Sequence, residues 1–157
     1  MKKQIGRVWI ERRVDSDPGL SWIGEYSNSP KVDWAIDRAE RGDQAVREFR
    51  YFNAAHSGEQ TGNPNSPEED YQRMEAFNRG DWWCVGVIAK AEVRMPSGVV
   101  QTIRSCGLWG IESDSAEEYF ADVEKEELSG LREELTSLGF GPRAIAYAFR
   151  NVERRGV

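Results

Sequence analysis

His56 is the only imidazole in the 157-residue chain, so it alone has an ordinary pKa that puts a charge change near neutral pH. It stands beside Ser57 and Gly58 in an expected loop with no obvious carboxylate partner in sequence, which reads as a solvated loop histidine. Cys84 and Cys106 are too few for a disulfide framework, and their count fits reduced thiols in a cytoplasmic protein. Cys84, next to Trp82 and Trp83, reads as a small buried apolar group. One histidine and two cysteines also exclude a zinc-finger ligand set. No catalytic residue, metal ligand set or cofactor is assigned from these residue types, and the reading favours binding over catalysis.

Gly107-Leu108-Trp109-Gly110-Ile111-Glu112-Ser113-Asp114-Ser115 runs from an expected strand into an expected helix start. Free backbone N–H groups at such a start can cradle a phosphate. Here Glu112, Asp114, Glu117 and Glu118 line the approach and no lysine stands in the loop, so a nucleotide is disfavoured. Gly107, Trp109, Gly110, Glu112 and Asp114 are the candidate ligand turn. Its carboxylates suit a divalent cation, and it would be the site if the chain were a small-ligand or metal-dependent enzyme. The plainer reading is glycines that permit close packing and carboxylates that favour the positive end of a helix. Glu112 with Asp114, and Glu68 with Glu69, are the carboxylate pairs that acid–base chemistry would use, but nothing in the sequence marks either as buried.

The strongest signal is charge. The formal net charge of −6 is sorted into blocks. Residues 112–138 hold ten acidic side chains against Lys125 and Arg132. Residues 1–14 are basic through Lys2, Lys3, Arg7, Arg12 and Arg13, and 139–157 through Arg143, Arg150, Arg154 and Arg155. Glu118, Asp122 and Glu126 recur every four residues and Glu133 continues the row, so on a helix they share one face. Each like-charged pair at that spacing costs about 0.2–0.5 kcal/mol, and only Lys125 is placed to offset Asp122 within the helix. Either the face is solvated and partly offset by the basic chain ends, or it meets a basic partner protein as a row of phosphates would. These four carboxylates are the expected partner-binding residues. The basic N-terminal segment, with Trp9 as a stacking group, could touch phosphates. An acidic chain is a poor general nucleic-acid binder, so direct binding of DNA or RNA is not expected.

These groups need a frame. An apolar content of 39 %, with six Trp, six Phe and five Tyr, is enough for a folded core rather than a disordered chain. No apolar run approaches the roughly 20 residues that span a bilayer. Met1 to Arg7 has no apolar stretch behind its lysines, so no secretory leader is expected. Period-2 spacing predicts a strand over 5–14, with Val8, Ile10 and Val14 inward and Trp9 on the charged side. A short helix is expected over 32–40, a strand over 46–52, and an irregular loop over 53–67. Ser66, Pro67 and Glu69 announce a helix that Gly80 ends. Strands 82–95 and 99–109 form a hairpin around Pro96-Ser97-Gly98. If Met95 pairs with Val99, Cys84 falls opposite Gly110 and Cys106 opposite Ile88, so the two thiols are not bridged. Ser115 with Glu118 opens a helix that Gly139 ends, and Ile145, Ala148, Phe149 and Val152 predict another over 142–154. The expected fold is α+β: a mainly antiparallel sheet of four to five strands with helices on one face. Residues 1–140 would be a single domain and 141–157 a helical extension packed on it.

Tyr71-Gln72-Arg73-Met74-Glu75-Ala76-Phe77-Asn78-Arg79-Gly80-Asp81-Trp82-Trp83 and the Gly107–Ser115 segment, with Gly24-Glu25-Tyr26 and the acidic helix, carry a resemblance. Over residues 20–140 the chain resembles a family of small proteins from bacteria, plasmids and phages. The resemblance carries no activity and no catalytic residues with it. Its mobile-element setting implies a protein that engages or inhibits host machinery, including basic nucleic-acid-binding or defence proteins.

Overall fold

The computed structural model describes residues 2–41 and 49–156. In chain order the elements are β1 (Gln4–Val14), β2 (Gly24–Ser27), β3 (Ile36–Asp37), β4 (Tyr51–Ala54), α1 (Gly58–Thr61), α2 (Ser66–Asn78), β5 (Cys84–Arg94), β6 (Val100–Arg104), β7 (Leu108–Glu112), α3 (Glu117–Ser137), α4 (Pro142–Ala148) and β8 (Val152–Gly156). The fold is α+β with two sheets. Residues 2–18 and 83–156 form one unit, and 19–82 another. This replaces the expected division at residue 140, because the last segment is built into the first sheet: β8 pairs in parallel with β1, Val8 opposite Val152 and Arg12 opposite Gly156.

The first unit is a five-stranded sheet in the order β6-β5-β1-β8, with β7 also paired to β5. Alternation on β5 sends Val85, Val87, Ala89, Ala91 and Val93 to one face. There, with Val8 and Ile10 of β1, they meet Phe120, Val123, Leu131 and Leu135 of α3 and Ile145 of α4. The opposite face of β5 turns polar toward its end but buries Cys84 and Ile88. Trp83, just before β5, is exposed, and so is Val14 at the end of β1, expected to face inward.

The hairpin keeps the expected register beside its turn, where Met95 N–H donates to Val99 O at 2.8 Å and Arg94 lies opposite Val100. The return strand is not continuous. It breaks at Ser105-Cys106-Gly107, and beyond the break Glu112, not Gly110, faces Cys84. Ser105 makes the break possible. Its N–H donates to Ala89 O at 2.9 Å, and its Oγ accepts from Ala89 N–H at 3.0 Å. Glu127 of α3 then accepts from Ser105 Oγ and from Gly107 N–H, the latter at 3.0 Å.

α3 opens one residue later than expected. Ala116 is its N-cap, with no side-chain cap, so the Ser115–Glu118 box is not formed. Helix 142–154 is cut short at Ala148, because the backbone of 152–156 pairs with β1 instead of continuing the turn.

The second unit is an antiparallel sheet in the order β2-β4-β3 with α2 against it. Its core holds Phe52, Tyr71, Met74 and Trp82. The helix expected over 32–40 is absent: Ile36 and Asp37 pair with Phe52 and Tyr51. Of the strand expected over 46–52, residues 46–48 lie outside the described residues, and β4 starts at Tyr51. Helix α2 runs to Asn78 with Gly80 beyond it, but Asn65 occupies the N-cap without a side-chain bond. Ser66 instead shares a 2.5 Å hydrogen bond with Thr61. The loop expected over 53–67 contains α1, whose Ser57 and Gln60 form the capping box that sequence reading placed elsewhere.

Candidate functional site

Helix α3 presents its carboxylates in three directions, and each has a different environment. Along the β1 side, Arg12 donates to Glu117 at 2.5 Å and to Glu124 at 3.0 and 3.2 Å, and Arg154 reaches Glu124 at 3.2 Å. Glu124 is only 3 % exposed, so two arginines offset a charge that would otherwise be costly to bury. Arg12 also lies 4.3 Å above the Phe120 ring, which fixes the guanidinium over the helix. These contacts hold the Arg12 guanidinium above, and the Glu117 carboxyl below, its ordinary range. Along the β6–β7 side, Glu127 braces the strand break already described.

The third direction is the row singled out by its spacing. Glu118, Asp122, Glu126 and Glu133 are all exposed, and none forms an ion pair with a described residue. Asp122 and Lys125, expected to offset each other, make no such pair; Lys125 lines a cavity on the sheet side of the helix. At 1.5 Å per residue the row extends over about 22 Å. The basic chain ends therefore do reach α3, but they neutralise Glu117 and Glu124 and leave this row alone.

The candidate ligand turn is mostly strand. Leu108 to Glu112 is β7, paired with β5. Gly107 has φ of 82°, a left-handed conformation that glycine adopts readily, and its N–H is taken by Glu127. The Trp109 ring lies on Gly86, where an added Cβ would come within 2.2 Å of it. Gly110 also has a positive φ, and Glu112 and Asp114 both have partners. The Gly107 donor and the Trp109 ring are thus spent on packing rather than held open for an anion.

Trp9, expected among the charges as a stacking group, is buried, with the Arg155 guanidinium 4.2 Å from its ring. The basic N-terminal segment is likewise engaged. Arg7 pairs with Glu92 at 2.7 Å, and Lys3 donates to Leu138 O at the C-terminal end of α3. Cys84 is buried and Cys106 exposed, and the two are not joined in a disulfide.

In the second unit, sequence reading missed the partner of His56. Asp70 accepts from the His56 backbone N–H at 3.0 Å, and its Oδ2 lies 3.1 Å from Nδ1. It also missed a half-buried polar cluster. Tyr26 donates to Glu75 at 2.6 Å and accepts from Asn78 at 2.9 Å, while buried Arg38 donates to Phe49 O at 2.8 Å. Burial and the neighbouring Glu75 carboxylate push the Tyr26 hydroxyl pKa well up. Glu68 pairs with Arg41 and Glu69 accepts from Asn63, so these adjacent carboxylates do not share a site. Among the described residues no group of three or more His, Cys, Asp or Glu side chains is placed to hold a metal ion, and no helix is long and apolar enough to cross a membrane.

Compared with known proteins, the chain matches no family model, no curated protein and no solved structure.

Proposed function

We propose that this chain is a non-enzymatic binding protein that uses Glu118, Asp122, Glu126 and Glu133 of α3 to engage a basic surface of a partner protein. One observation carries the reading: arginines from both chain ends reach the helix and pair with Glu117 and Glu124, yet the neighbouring row of four is exposed and makes no ion pair with a described residue. Like charges at four-residue spacing destabilise a helix, and a cationic partner surface removes that repulsion on binding. A partner that itself binds nucleic acid, including a host-defence protein, has such a surface. The resemblance to plasmid and phage proteins supports a mobile-element role in the bacterial cytoplasm. The same negative row disfavours direct contact with DNA or RNA.

The test is a pull-down from bacterial lysate with the tagged chain at low and high salt, read by mass spectrometry. Basic proteins retained at low salt and released at high salt are expected, because exposed charges are screened over about 8 Å at physiological ionic strength. Retention that is unchanged by salt contradicts the proposal.

A further inference from the structure

Between α3 and β8 the first unit holds a cavity of about 480 Å³. Its floor is apolar, from Ile10, Leu128 and Val152, and its charged lining is Lys125, Arg132, Arg154 and the buried Glu124. That volume lies within the range of small-molecule sites, and an apolar floor with a few convergent polar groups is their usual composition. Glu124 is already saturated by Arg12 and Arg154, so it does not repel an incoming anion as a bare carboxylate would. It holds the Arg154 guanidinium at the wall. Arg132 is positioned from the other side, 4.6 Å from the Phe149 ring. Neither Lys125 nor Arg132 forms an ion pair with a described residue. The lining thus carries three cations and one carboxylate, a local net of +2 in a chain whose net charge is −6.

We infer that this cavity binds a small organic anion, with its carboxylate or phosphate head on Arg132, Lys125 and Arg154 and its apolar body on Ile10, Leu128 and Val152. Arginine suits such a head because its planar fork makes two parallel hydrogen bonds to one oxyanion. None of the four carboxylates of the acidic row lines this cavity.

The test is a methyl NMR titration of the full chain with four probes: phenyl phosphate, benzoate, inorganic phosphate and benzyl alcohol. Saturable shifts at Ile10, Leu128 and Val152 are expected with at least one of the two aryl anions. Inorganic phosphate and benzyl alcohol should each bind at least tenfold more weakly, since each supplies half of the match. Arg132→Gln with Lys125→Gln should weaken the bound aryl anion at least tenfold. Ala121→Trp, at an exposed helix position on the cavity wall, should block it with the fold intact. Phosphate-only or carboxylate-only binding identifies the head group. The inference is overturned by the absence of saturable shifts with both aryl anions, by equal binding of benzyl alcohol, or by binding that survives Ala121→Trp.

Discussion

Gly86 and Arg12 show how single residues hold this molecule in place. The Trp109 ring occupies the space a Cβ at position 86 would need, at 2.2 Å. Gly86→Ala should therefore destabilise the chain by about 1–3 kcal/mol through overpacking, read as a lower urea midpoint. Adding Trp109→Ala should recover part of that loss, because it removes the ring that the new Cβ meets. Additive losses in the double variant would contradict the ring-on-strand packing. Arg12→Gln leaves Glu124 with Arg154 alone at 3 % exposure, and should cost about 2 kcal/mol in the same measurement. An unchanged midpoint would mean that Arg154 alone suffices. The burial of Trp9 and the pairing of His56 with Asp70 were not legible in the sequence. Both depend on what lies across from a residue after folding, and residues 56 and 70 meet only because α2 follows the loop that carries His56.

Elements were legible where a period was long and unbroken. β5 shows its two faces in plain alternation, and α3 shows its apolar stripe over 21 residues. The failures are places where a distant group competes with local pattern. Ile145, Ala148, Phe149 and Val152 have helical spacing, but parallel pairing with β1 claims Val152 for a strand. The return strand of the hairpin reads as one piece, but Glu127, twenty residues beyond Gly107, anchors a break in it. Ion pairs between elements also set the pH response. Arg41, Arg50, Arg7 and Arg12 hold the carboxyls of Glu68, Asp37, Glu92 and Glu117 below their ordinary values. The unfolded chain therefore binds protons first as pH falls. Stability should be level above the ordinary glutamate value of 4.5 and decline below it, as the folded-state carboxylates protonate in turn. Thermal unfolding from pH 7 to pH 3 checks this, and stability that rises on acidification would contradict the pairings.

At the scale of the whole molecule, the sorting of charge into blocks was fully visible in the sequence, and its consequence was half visible. The expectation that the chain ends offset the acidic helix is met on Glu117 and Glu124, where Arg12 and Arg154 arrive. Which carboxylates remain unpaired depends on the direction each takes from the helix, and that follows from how α3 lies on the sheet. The remaining row is the proposed binding face. Its most direct test is an affinity measurement between a basic protein captured by the native chain and a variant carrying Glu118→Lys, Asp122→Lys, Glu126→Lys and Glu133→Lys, with circular dichroism confirming the fold. Binding should be lost in the reversed variant and weakened in the corresponding Gln variant. Equal affinity of the native and reversed chains would contradict it.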